Sequence, residues 1–161
     1  IKRGSWQLRG ELKTKSQLLV ATHYGFSGKS PEDIAGIISR LQKGSLFHFK
    51  DIEARKGPFG NPLIPKLFAQ QWLTTKRAEG AGVYSSQFKP APPDTVALIC
   101  TSIECSLDGW KNGILAGSGV AFAQEAYEDR FEEHLETLKR FRAKNSKKYK
   151  STMNEIWEEA W

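Results

Sequence analysis

Asp94-Thr95-Val96-Ala97-Leu98-Ile99-Cys100-Thr101-Ser102-Ile103-Glu104-Cys105-Ser106-Leu107-Asp108 decides the fold class of this chain. Asp94 reads as the N-cap of a helix. Val96, Leu98, Ile99, Cys100 and Ile103 leave almost no polar face over the first half of that helix. Leu107 and Trp110 continue the apolar stripe, and Gly113 is placed to stop it. A helix that is apolar nearly all round has to be surrounded by other helices. Residues 94–112 are therefore the expected centre of a helical domain.

The flanking sequence supplies the surrounding helices. From Ser5 to Tyr24, Trp6, Leu8, Leu12, Leu18, Leu19 and Val20 are spaced for a helix, with Gly10 weakening its first turn. Gly25 to Lys29 reads as a turn. Ser30-Pro31-Glu32-Asp33 has the form of a helix start, with serine as N-cap, proline at the first helical position and acids in the first turn. Ile34, Ile37, Ile38 and Leu41 follow on one face, and Gly44 is placed to end the helix.

Leu46-Phe47-His48-Phe49 suits either an extended segment or one helical turn. Gly57-Pro58-Phe59-Gly60 is loop. Asn61-Pro62 repeats the cap-plus-proline start, with Leu63, Ile64, Leu67, Phe68 and Trp72 as its stripe, and Pro65 is tolerated in the first turn. Residues 75–93 form a long, proline-ended connection. After the central helix, a loop from Gly113 to Gly119 leads to a helix carrying Tyr127, Phe131, Leu135 and Leu138, and a last helix carries Tyr149, Met153, Ile156, Trp157 and Trp161. The prediction is an all-α fold, an irregular bundle of about six helices in one domain over residues 1–161.

Composition agrees. Leucine and alanine, at 14 each, far outnumber valine at 4, so helix formers dominate the β-branched residue that strands favour. No apolar run approaches the roughly 18–20 residues that span a bilayer, so no membrane insertion is expected. The chain opens on Ile1 without a signal pattern, and is expected to be a processed chain or a domain cut from a longer protein. Cys100 and Cys105, five apart in one helix, point to different faces, so they neither bridge each other nor form a metal hook. Two buried free thiols suit a reducing compartment, nuclear or cytoplasmic.

Few residues carry recognisable chemistry. Gly28-Lys29-Ser30 has the end of a phosphate-binding loop, but His23 stands where that loop needs its first glycine, and a plain turn with an N-cap fits better. His23, His48 and His134 fall on different elements without metal-ligand spacing. Glu104 and Asp108 lie four apart on the central helix and share a face. Buried, they would be candidates for acid–base chemistry, together with His134; solvated or paired with basic side chains, they would not. The second outcome is the favoured one. No catalytic residue, cofactor or metal ligand is assigned, and an enzyme is the least favoured expectation.

Charge is more informative. Lys139, Arg140, Arg142, Lys144, Lys147, Lys148 and Lys150 fall in one window without an acid, and removing it would take the net charge from +6 to −1. Glu125, Glu128, Asp129, Glu132, Glu133 and Glu136 precede it, so one helix is expected to run from acid to base. Such a gradient suits the helix macrodipole. It also makes a phosphate-binding face, with Phe141 and Tyr149 interleaved as stacking groups, although Phe141 also continues the apolar stripe. Lys2, Arg3, Arg9, Lys13 and Lys15 would widen that face if they folded nearby.

Phe88-Lys89-Pro90 and the stretch from Pro93 to Asp108, with Trp110 and Gly113, resemble a family abundant in mushroom-forming fungi and known as domain of unknown function 6532. Leu19 to Phe26, Leu46 to Phe49, Pro58 to Ile64, and Phe122 through Leu138 extend the resemblance to about residues 16–141. Gly109 and Asn112 depart from it, standing where the family usually has an acid before the tryptophan and threonine before the glycine. The resemblance implies no reaction, cofactor or catalytic residue. It implies nuclear or cytosolic proteins with a long, often basic, disordered arm before the helical domain.

The leading expectation is thus a non-enzymatic binding module for nucleic acid or chromatin, sequence-nonspecific, acting through the seven bases. The alternative is a protein-interaction or self-association domain that uses Trp157 and Trp161 of the aromatic C-terminal helix.

Overall fold

The computed structural model describes residues 4–73, 90–115 and 121–161. Among them the chain forms six α-helices: α1 (Gly4–His23), α2 (Pro31–Gln42), α3 (Leu63–Phe68), α4 (Pro93–Gly109), α5 (Gln124–Lys144) and α6 (Ser146–Ala160). A 3-10 segment, Lys43–His48, follows α2, and a π turn, Ala69–Leu73, extends α3. No strand occurs among the described residues, where Asp51 and Lys56 make an isolated antiparallel bridge. The fold is an all-α bundle. The greater part of the 75–93 connection and the end of the Gly113–Gly119 loop lie outside the described residues.

The central helix is where its composition puts it. From Val96 to Leu107 every residue of α4 is buried except Leu98 and Glu104, which are partly so. Helices α1 and α5 pack along it. Small polar residues let α1 approach closely: the Ser16 hydroxyl lies 2.5 Å from that of Ser106 and donates to the Ser102 carbonyl at 3.2 Å. These contacts keep buried hydroxyls hydrogen-bonded inside an otherwise apolar core. Helices α3 and α6 close one side, where Phe68 meets Trp157 edge-on at 5.9 Å.

The ends of the central helix differ from expectation. Pro92 occupies the N-cap position with extended backbone, Pro93 opens the helix, and Asp94 lies in the first turn. Two prolines preset the chain for entry, so Asp94 serves the helix dipole instead of capping it. The helix ends at Gly109, short of residue 112, and Trp110 to Gly113 form turns. Gly113 has φ +84°, and a Cβ there would fall on the Pro31 carbonyl, so only glycine lets this turn pack against the start of α2.

The other local signals hold. The Ser30 hydroxyl accepts from the Asp33 N–H at 3.2 Å, so the Gly28-Lys29-Ser30 motif is a turn and an N-cap. Ile34, Ile38 and Leu41 are buried, and Gly44 with φ +62° follows the helix end. Asn61 is itself buried: its Oδ1 accepts from the Leu63 N–H at 2.9 Å, while its Nδ2 donates to the Phe47 carbonyl at 2.5 Å and to Tyr24 Oη at 3.0 Å. One side chain therefore satisfies the first N–H of α3 and ties the lobe formed by residues 43–60 to Tyr24, just past the end of α1. No helix among the described residues is long and apolar enough to cross a membrane.

Candidate nucleic-acid interface

The acid-to-base gradient does not lie on one helix. Asn145, with φ −151° and ψ 80°, ends α5 and caps α6, its Oδ1 accepting the Lys148 N–H at 3.1 Å. Arg142 and Lys144 occupy the last turn of α5, where the macrodipole favours them, and Lys139 and Arg140 precede that turn. Lys147, Lys148 and Lys150 are instead among the first five residues of α6, whose first turn holds no acid. There the dipole opposes them, so helix stability accounts for none of these three.

All seven bases are exposed. None takes part in an ion pair among the described residues. Arg140 donates to the Thr137 hydroxyl at 3.2 Å, and the Arg142 guanidinium lies 6.0 Å from the centre of the Tyr149 ring. Of the N-terminal bases, Arg9 and Lys15 do not enlarge this face. Arg9 is buried at 3% exposure, and its electrostatic neighbours are Glu125 and Glu128 at the acidic end of α5. Lys15 donates to the Gln70 carbonyl and to Gln71 Oε1. Lys2 and Arg3 lie outside the described residues.

Lys50, which carried no signal in the sequence, joins the face instead. Its backbone N–H donates to the Gly57 carbonyl at 2.9 Å, and Cβ atoms added to Gly57 or Gly60 would stand 2.8 and 2.7 Å from its own. The two glycines let the loop fold back over Lys50. Between this loop and α6 lies an open groove of about 490 Å³, lined among others by Lys50, Lys147, Lys148 and Thr152. A second groove, of about 750 Å³, separates the lobe from α5 and is lined by His48, Phe49 and Phe59 on one wall and His134, Arg140 and Lys144 on the other. Pro58 lines both, so they adjoin.

An aromatic stack runs along these grooves. The His48 ring lies between Phe49 and Phe59, 4.3 Å from each centroid and nearly parallel to both. Phe59 stacks with Phe141 at 6.4 Å, and Phe141 meets Tyr149 edge-on at 5.6 Å. Phe49, Phe141 and Tyr149 are partly exposed, whereas Phe59 is fully buried.

His48 Nδ1 accepts the Phe59 N–H at 3.1 Å, and burial, followed by the nearby His134, lowers its pKa to about 4. The folded ring is neutral at pH 7, with its proton on Nε2. Because the folded value lies below the ordinary 6.5, the unfolded chain binds the extra proton first. His48 therefore contributes stability above about pH 6.5 that is lost as the pH falls toward 4, by about 3 kcal/mol in all. Urea denaturation at pH 7 and pH 4.5 should show this loss, reduced in His48→Gln. An equal pH dependence in both proteins would refute the assignment.

Glu104, Asp108 and His134 do converge, but as a tie between helices. Asp108 Oδ1 accepts from Gln42 Nε2 at 2.7 Å, and its Oδ2 accepts from Tyr127 Oη at 2.6 Å and Arg130 Nη1 at 2.5 Å. Glu104 Oε1 pairs with His134 Nε2, and its Oε2 lies 3.4 Å from Arg130 Nη1. Burial and then the Asp108 contact push the Tyr127 hydroxyl well above the ordinary phenol range. Every carboxylate oxygen is engaged, and these contacts join α4 to α2 and α5. No group of three or more His, Cys, Asp or Glu side chains suited to a metal occurs among the described residues. Cys100 and Cys105 are buried and form no disulfide.

Trp157 is core: it is 5% exposed and packs on Phe68, while Trp161, 68% exposed, stacks on it at 5.5 Å. Of the two tryptophans considered for partner binding, Trp161 alone presents an open surface.

Residues 1–141 match the model of a family described as a domain of unknown function, DUF6532. The chain belongs to the DUF6532 family. No curated protein and no solved structure matches it. The matched part of this DUF6532 chain contains both walls of the larger groove except Lys144. Lys139 and Arg140 fall within it, while the other five bases, and all of α6, lie beyond.

Proposed function

We propose that this domain is a non-enzymatic module that binds nucleic acid, without sequence specificity, through the junction of α5 and α6. The observation that supports it most is the placement of Lys147, Lys148 and Lys150, exposed, without ion pairs, and on the helix end where the dipole opposes them. Fold stability gives no reason for such a cluster, whereas a polyanion does, since each phosphate contact releases condensed counterions. Lys50 adds a fourth lysine from a different element. Contacts of this kind position the backbone and read no bases. A nuclear or cytoplasmic setting accords with this reading and with two buried cysteines that form no disulfide.

Fluorescence anisotropy with a labelled oligonucleotide, repeated over a series of salt concentrations, tests it. Binding should be present at about 50 mM salt and weaken steeply by about 200 mM. No binding at the lower concentration refutes the proposal. Self-association through the C-terminal helix is a second reading, favoured by the exposed, stacked Trp161. A mass by light scattering that drops on Trp161→Ala would support it, and a monomer throughout would end it.

A further inference from the structure

We propose that the nucleic acid taken by this face is single-stranded, with a base seated in the larger groove against the partly exposed face of Phe49 and the backbone crossing Pro58 into the smaller one. This rests on the nucleic-acid reading above and specifies its substrate class. Basic side chains alone would suit duplex and single strand alike. What distinguishes this face is the apolar, ring-lined groove beside them.

The larger groove has the volume of a small-molecule pocket, and a nucleobase needs only part of it. Phe49, His48 and Phe59 already form a parallel stack at 4.3 Å spacings, so a base set against Phe49 continues an existing column. A paired base inside a duplex presents no such face. His48 Nε2–H has no partner among the described residues, although the ring lines the groove, and it is a donor for a base carbonyl or ring nitrogen.

The phosphates follow from the charges. Arg140 and Lys144 stand at one end of the larger groove, and Lys50, Lys147 and Lys148 line the smaller. Thr152 also lines the smaller groove: it is 8% exposed, and its hydroxyl has no hydrogen-bond partner among the described residues. A groove-lining hydroxyl beside three lysines suits a phosphate oxygen. Glu133 and Glu136 line the larger groove, and Glu155 the smaller. Their repulsion confines the backbone to the stretch between Arg140 and Lys148. A basic track beside stacking rings is the general form of single-strand recognition.

The test compares a labelled single strand of about 12 nucleotides, as oligo-dT and as oligo-U, with a duplex of the same length, by anisotropy at fixed salt. The single strand should bind about tenfold more tightly or better. Phe49→Leu keeps apolar bulk but loses the flat ring. It should weaken single-strand binding by about fivefold or more, with the salt dependence and the duplex affinity unchanged. Lys147→Gln with Lys148→Gln should instead flatten the salt dependence for both probes. A circular-dichroism melt of each variant confirms that it folds. Duplex bound as tightly as single strand, or an unaltered Phe49→Leu, overturns this inference and leaves the nucleic-acid reading standing. Failure of both probes to bind overturns both.

Discussion

Reversing two charges in K147E/K148E is expected to lower affinity for nucleic acid by about a hundredfold at about 50 mM salt. Each phosphate contact contributes about 0.7–0.9 to the slope of log affinity against log salt, which near 50 mM corresponds to roughly tenfold per contact. Two lost contacts multiply, and the introduced carboxylates add repulsion. The same variant should flatten the salt slope by about 1.4–1.8, so that wild type and variant converge at high salt. Both lysines are exposed and make no ion pair, so the fold should not suffer. Removing two like charges from the start of α6 should even stabilise it slightly. An anisotropy titration at three salt concentrations, with a thermal melt beside it, measures both quantities. An unchanged slope would show that these lysines touch no phosphate.

Asp108→Ala is the change expected to harm the fold most. Asp108 accepts from Gln42, Tyr127 and Arg130, which join α4 to α2 and α5. Removing the carboxylate leaves Gln42 and Tyr127 without their acceptor, and leaves Arg130, a charge held partly out of water, with Glu104 at 3.4 Å. Breaking a buried ion pair from one side costs about 3–5 kcal/mol. The lower end applies here, because the Arg130 side chain is 38% exposed and keeps some hydration. A loss of about 3 kcal/mol should lower the melting temperature by about 6–12 °C for a domain of this size. Exposed Glu133→Ala should melt like the wild type. A double-mutant cycle of Asp108→Ala with Arg130→Ala separates the pair from its surroundings. An Asp108→Ala melt within about 1 °C of wild type would show that the tie is not structural.

The two predictions depend on opposite kinds of charge. Asp108 and Glu104 are acids whose partners are already inside the protein, so their chemistry is spent on the fold. The bases at the α5–α6 junction make no ion pair among the described residues and remain available to something outside. The spacing of Glu104 and Asp108 correctly puts them on one helical face. What spacing could not show was that Arg130, 22 residues beyond Asp108, and His134, 30 beyond Glu104, close over that face.

The amino-acid sequence by itself determined the helices, the central place of α4 and the basic character of the 139–150 window. These are local properties: caps act within a turn, apolar periodicity declares a buried face, and charge is additive along the chain. It also marked Phe141 and Tyr149, which prove to stand in the ring stack at the junction. Only the tertiary structure decided that the window is split at Asn145 between two helices, that Arg9 turns inward, and that Trp157 is core. Only it brought Lys50 and the His48 stack, from a lobe about ninety residues away, to the same face. The reason is physical. Such convergence depends on how whole helices pack and on two glycines that let one loop fold back over Lys50, and no short-range pattern encodes either.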